Sequence, residues 1–420
     1  MSMANTSIWP TKRLRFLTQG GRTDKQLDRL SDTTQVSFLP MEAIGERGEL
    51  DLSEVRELYA VKTGYTQFFD GDVVVAKITP CFENGKGALV LGLLNGVGYG
   101  TTELHVLSPG PEIDGRFLYY ITASAAFRKL GEASMTGAAG QKRVPEDFVR
   151  NYRSVIPPLL EQRAIADYLD HETAHLDSLV AAKERLLGLM AEKRRAIITH
   201  AVTRGINPHA SLRNSSIPWL GEIPTHWETE RAKWLFIERD VRSETGEEEM
   251  LTVSHLTGVT PRSEKNVNMF EAESTEGYKV CYAGDLVINT LWAWMGAMGI
   301  SPMQGIVSPA YHIYTPCDRL DPAYVDALVR MPMFAEEAIR FSKGVWSSRL
   351  RLYPEGFYEI CLPVPPRDEQ RAIVAHIASE TMKLDALRAA TERTIALLKE
   401  RRAALILAAV TGRIEVKQGL

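Results

Sequence analysis

Two stretches of the chain carry apolar residues at helical, heptad-like spacing. Leu169, Leu176, Lys183, Met190 and Ile197 fall seven apart, and so do Ile377, Leu384, Thr391, Leu398 and Leu405. Flanking apolar residues (Leu179, Leu186 and Leu187 in the first stretch; Leu387 and Ile395 in the second) widen each row into a coiled-coil stripe. Each stretch opens on Pro-Pro, then runs about 45 residues without proline, rich in Glu, Lys, Arg, Ala and Leu, and so predicts a helix on the order of 65 Å long. The segments from Pro157 and Pro365 align without a gap at an offset of 208 and agree at about half of their positions, far beyond chance. Both rows are interrupted by a polar residue at the same heptad, Lys183 and Thr391, the kind of residue that fixes register. One antiparallel pair of helices would bury both stripes; two separate helical hairpins are the alternative.

Between the helices the pattern changes to short β-type runs punctuated by Gly and Pro. Landmarks recur in order: Trp9, Arg13 and Phe16 against Trp227, Arg231 and Trp234. A turn entering a β-branched run recurs as Phe69-Asp70-Gly71-Asp72-Val73-Val74 and Tyr282-Ala283-Gly284-Asp285-Leu286-Val287. A His-containing alternating stretch follows in each, Glu103-Leu104-His105-Val106 and Tyr311-His312-Ile313-Tyr314. With helices expected near 115–131 and 321–340, each segment predicts an α+β domain. The expected fold class is therefore α+β, with two globular heads joined by two long helices that pair as an antiparallel coiled coil in a pseudo-twofold internal repeat. The expected boundaries are a head at 1–156, a long helix at 157–206, a linker at 207–222, a second head at 223–362, a second long helix at 363–412 and a tail at 413–420.

The 420 residues are enough for two to four domains with ample core. With 45% hydrophobic residues the chain is not a disordered one. No run approaches ~18 uninterrupted apolar residues, so no membrane span is expected, and Met1 to Pro10 lacks the pattern of a signal peptide. Cys81, Cys281, Cys317 and Cys361 are scattered, which reads as ordinary thiols of a cytoplasmic protein. A net charge of −4 argues against wholesale polyanion binding and directs the search to local basic patches.

Two such patches occupy matching places. Met135 to Arg143 is Gly-rich, polar and free of acid, ending Gln141-Lys142-Arg143. In the second head, Ala338 to Pro354 carries Arg340, Lys343, Arg349 and Arg351 without an acid, around Gly344-Val345-Trp346-Ser347-Ser348-Arg349. Arg and Lys neutralise phosphates or read guanine edges, while Gln and Ser hydrogen-bond bases, so these loops suit DNA; a solvated basic loop is the plainer reading. Lys77 and Lys86, flanking Thr79 to Gly85, form a weaker cluster.

Other motifs point elsewhere and are weighed against this. His171-Glu172-Thr173-Ala174-His175 has the HExxH spacing of a zinc hydrolase. Its counterpart Ser379-Glu380-Thr381-Met382-Lys383 keeps neither histidine, and a coiled coil offers no cleft. Gly96-Val97-Gly98-Tyr99-Gly100 imitates a cofactor loop but runs into a strand pattern. Asp321-Pro322 imitates a base-binding motif but reads as a helix N-cap followed by Pro at the first helical position. Trp292 and Trp294 alternate as on one strand face, buried or base-stacking.

The doubled helix openings, Pro157-Pro158-Leu159-Leu160-Glu161-Gln162-Arg163-Ala164-Ile165 and Pro365-Pro366-Arg367-Asp368-Glu369-Gln370-Arg371-Ala372-Ile373, resemble those of the specificity subunits of Type I restriction–modification systems. Lys193-Arg194-Arg195-Ala196, Arg401-Arg402-Ala403-Ala404, the closing Ala-Val-Thr of each helix and Gly221 to Trp227 add to the resemblance, which extends over the whole chain. The resemblance implies a non-catalytic subunit whose two heads each read one half of a split double-stranded DNA target. The helix pair would serve as ruler and dock for two DNA methyltransferase subunits, joined by restriction nuclease–translocase subunits, with no membrane involved. No cofactor is then expected on this chain; S-adenosylmethionine, ATP and Mg would belong to the partners. The implied DNA contacts are Lys77, Lys86, Gln141, Lys142, Arg143, Lys343, Ser347, Ser348, Arg349 and Arg351. The implied partner contacts are Glu161, Gln162, Arg163, Glu369, Gln370 and Arg371. A structural adaptor whose heads bind proteins stands as the alternative, with a zinc hydrolase behind it.

Overall fold

The computed structural model describes residues 9–19, 27, 30–138, 140–265, 274–344, 349–414 and 416. The chain divides into two units: Met1–Glu184 with Glu392–Leu420, and Arg185–Thr391. Each unit thus holds one head together with the near part of one long helix and the far part of the other.

In unit one the head carries the short helix α1 (Leu58–Val61), then α2 (Gly115–Ala123), α3 (Ala125–Ala133) and α4 (Glu146–Asn151), before the long α5 (Leu159–Arg204) begins. An antiparallel sheet is ordered Thr18–Gln19, Leu104–Pro109, Val73–Ala76, Gly87–Leu89. A second sheet places Gln35–Leu39 beside Val97–Gly100 in parallel. In unit two the head carries α6 (Ala232–Leu235), α7 (Pro322–Val329), α8 (Pro332–Arg340) and α9 (Pro354–Glu359), followed by the long α10 (Arg367–Val410). Its four-stranded sheet repeats the first in order and direction: Phe236–Arg239, His312–Pro316, Leu286–Ile288, Met298–Ile300. The expected Gly-Asp turn opens the third strand of each. Gly71 and Gly284 take positive φ, and the carboxylates of Asp72 and Asp285 accept the backbone N–H of Phe69 at 2.8 Å and of Tyr282 at 2.9 Å.

The helix pairing is antiparallel within each unit. In unit one Asp177 meets Arg402 at 3.1 Å and Glu184 meets Lys399 at 3.5 Å; in unit two Arg194 meets Asp385 at 2.5 Å. The offset of 208 maps Asp177 onto Asp385 and Arg194 onto Arg402, so one ion pair is the repeat of the other. The cores repeat likewise: Ile165, Leu169, Ile406, Ala409 and Val410 pack under the first head, and Ile373, Ile377, Ile198, Ala201 and Val202 under the second. Leu169, Leu176, Met190, Thr391 and Ile395 are buried on the helices as the heptads predict.

Two expectations are corrected. Leu179 and Leu387, expected as flanking residues that widen the stripes, have exposed side chains. Residues 207–222 are no linker: Leu212–Asn214 pairs with Glu222–Pro224, and Trp219 and Leu220 sit in the core of unit two, Trp219 edge-on to Phe334.

Candidate nucleic-acid interface

The two acid-free segments fold as the same device. In the first head, Thr136 and Arg143 exchange both backbone hydrogen bonds, 3.0 and 2.9 Å, and close the loop between them. In the second, Lys343 and Arg351 do the same at 2.9 and 2.9 Å. A glycine follows the first closing residue in each. Gly137 and Gly344 have φ of +124° and +153°, and a Cβ there would meet Gln141 O at 2.9 Å and Arg349 O at 2.6 Å. A side chain at either would strain the turn and collide with its far limb.

Each loop is sewn to the end of the third sheet strand. The N–H of Thr79 donates to Lys142 O, that of Val144 to Lys77 O, and that of Leu352 to Thr290 O. A second loop therefore lies beside each: 77–86 in one head, 289–297 in the other. The two are built differently. Under 77–86 the buried Arg128 guanidinium donates to Phe82 O at 3.1 Å and Gly85 O at 3.0 Å and lies over the Phe82 ring. No carboxylate pairs with it among the described residues, and burial pushes its pKa down to about 10. In 289–297 the expected strand face is instead a 3₁₀ turn, Ala293–Met295, with Gly296 in the left-handed region. Trp292 is exposed and stacks on Trp294 at 6.0 Å, and the Trp294 indole N–H donates to Leu291 O.

Gln141, Lys142, Lys343 and Arg349 are exposed on these loops. Arg143 is exposed too but holds Glu103 at 2.7 Å, and that hydrogen bond keeps the Glu103 carboxyl below its ordinary value. Three expected contacts are tied down. The ammonium groups of Lys77 and Lys86 donate to Thr102 O and Met41 O, and Arg351 donates to Leu350 O. Ser347 and Ser348 lie outside the described residues. Arg128 was not anticipated, since one arginine in an amphipathic helix carries no sequence signal of what it will cap.

The expected partner residues build the joints between heads and helices. Gln162 and Gln370 are fully buried, which corrects their assignment to a docking surface. Gln162 donates to Pro157 O and Glu112 O and accepts from Asp114 N–H; Gln370 donates to Pro365 O and Arg319 O and accepts from Asp321 N–H. Asp114 and Asp321 in turn N-cap α2 and α7. Arg163 and Arg371 lie on the surface near those aspartates, at 3.7 and 3.8 Å. Glu369 holds His226 at 2.8 Å, and Glu161 is half-buried. More open surface lies further along the helices, where Leu189 and Leu397, equivalent by the repeat, are 55% and 58% exposed. Leu179, Ala182, Leu186 and Leu189, spaced three and four apart, form a second row that was readable in the sequence.

His171 and His175 are exposed on α5, and among the described residues no three His, Cys, Asp or Glu side chains are grouped to hold a metal. Among those residues no helix is long and apolar enough to cross a membrane.

Comparison with known proteins supports the resemblance read from the helix openings. No protein-family model matches the chain. The EcoAI Type I restriction enzyme specificity subunit of Escherichia coli is 40% identical over 192 residues, covering 42% of this chain and 32% of that protein. The match spans about a third of the length of the curated relatives. A chain from a structure describing complex assembly and conformational transition of the type I R-M system superposes with a TM-score of 0.75 at 17% identity, covering 99% of this chain and 100% of that one. The HsdS subunit of Thermoanaerobacter tengcongensis gives a TM-score of 0.56 at 18% identity, covering 97% of each chain. The chain resembles Type I specificity subunits in sequence and shares the fold of these structures.

Proposed function

We propose that this chain is the non-catalytic specificity subunit of a Type I restriction–modification complex, acting on DNA in the cytoplasm. Each head reads one half of a split double-stranded target through its glycine-closed basic loop and the loop beside it. The observation that carries this reading is the recurrence of one loop construction, sewn to the same strand end, in two heads of different sequence. A scaffold held constant under variable tips is what reading two different half-sites requires. The exposed leucines of the long helices support docking of two methyltransferase subunits there, with nuclease–translocase subunits joining the complex. S-adenosylmethionine, ATP and Mg belong to those partners.

The test is binding to a duplex of random sequence over a range of salt. Phosphate contacts release counterions, so affinity should fall steeply as salt rises. Lys142→Ala and Arg349→Ala should each reduce the magnitude of the log–log slope by about one and leave the melting temperature unchanged. Binding that ignores salt would contradict the proposal and favour a protein-binding adaptor.

A further inference from the structure

The joints of the two units can be superimposed residue by residue, because Asp114, Gln162 and Arg163 repeat as Asp321, Gln370 and Arg371 with the same hydrogen bonds. What fills the angle between head and helices differs. In unit one Arg116 bonds Asp167 at 2.6 Å and Asp170 at 2.9 Å. The Tyr120 hydroxyl donates to Asp170 at 2.6 Å. Tyr119 is buried beside Gly48, and Arg47 reaches Asp177 at 3.4 Å. The angle is closed by the chain itself.

In unit two the matching positions hold Ala323 for Arg116, Ala327 for Tyr120, Ala375 for Asp167, Ala378 for Asp170 and Asp326 for Tyr119. The truncation leaves a groove of about 860 Å³ walled by Ala323, Asp326, Ala327 and Ala378, with Arg194 standing where unit one has Arg402. Its floor is apolar (Ile198, Met331, Val374 and Ile377), and its rim exposes Leu256, Met295 and Ile339, Leu256 at 74%. That volume lies in the range of built binding sites.

We infer that this groove receives an aromatic side chain of one methyltransferase subunit, so that the two docking positions on the helix pair are unequal. The inference rests on the proposed function. Three observations choose the occupant. The repeat shows the shape that belongs there, since unit one fills it with a tyrosine ring. A third of the residues lining it belong to the long helices, the proposed dock. The exposed rim is apolar at Leu256, Met295 and Ile339, which suits a protein surface, and the carboxylates of Asp326 and Glu336 share the groove with Arg194, Arg195 and Arg330. Arg195, exposed and without an ion-pair partner among the described residues, offers a site for a carboxylate next to the inserted ring.

The experiment titrates this chain with the purified methyltransferase subunit of its complex and counts bound copies by native mass spectrometry. Wild type should take two copies with unequal affinities. Ala327→Tyr combined with Ala378→Asp, which copies Tyr120 and Asp170, should weaken the tighter affinity about thirtyfold and leave the weaker unchanged. Ile339→Glu on the rim, which leaves the core intact, should act in the same direction and guards against misfolding of the double variant. Two equal affinities in wild type, or unaltered binding by both variants, would overturn the inference and leave the proposed function standing. No binding of the methyltransferase by wild type would overturn both.

Discussion

Units one and two are alike in the glutamine joint at the start of each long helix and unlike around it. Both use a buried glutamine three bonds deep, an aspartate cap, and an arginine at nearly the same distance from it. Above that joint, one second loop is clamped by a buried arginine and the other carries a tryptophan stack. Inside the joint, one angle is closed by tyrosines and the other is open. The difference separates two kinds of constraint. Residues that join each head to the start of its own long helix are the same twice, because those helix openings are the same twice. The second loops, proposed to face DNA, and the groove, proposed to face a partner, differ between the copies.

The largest effect should come from breaking a joint. Gln162→Leu strands the buried Pro157 carbonyl and leaves the Glu112 carbonyl and Asp114 N–H without their partner, and should cost about 3 kcal/mol, read as a fall in melting temperature of unit one. Gln370→Leu should cost the same in unit two. A loss in one and not the other would break the equivalence of the joints. The helix ion pairs sharpen the comparison in the opposite direction. Arg402 is 15% exposed and Arg194 is 42% exposed, although they are repeats of each other. Arg402→Ala should cost about 2 kcal/mol, because it leaves Asp177 half-buried beside Arg47, whereas Arg194→Ala should cost about 0.5 kcal/mol or less. Equal losses in chemical denaturation would show that burial does not separate the two.

The repeated scaffold was legible in the sequence because helices advertise themselves by period. The heptads, the Pro-Pro breakers and the offset of 208 place both long helices within a few residues of their observed ends. The placement of the loops was legible as well, through Gly137, Gly344 and the absence of acid around them. Which lysines are free was not, because Lys77 and Lys86 are tied by the carbonyls of Thr102 and Met41, distant in sequence. The role of Gln162 was hidden for the same reason: a Glu-Gln-Arg motif reads equally well as an exposed dock or a buried clip, and only the position of the Asp114 turn decides. The groove of unit two lay in Ala323, Ala327 and Ala378, three alanines whose meaning appears only beside their counterparts in unit one.

The most direct test of the proposed role is a map of methylated bases in the genome of a host expressing this chain with its proposed partners, before and after residues 1–156 are replaced by the corresponding head of a Type I specificity subunit. One half of the methylated sequence should change while the other half and the spacing between them persist. A change in both halves, or in neither, would contradict that role.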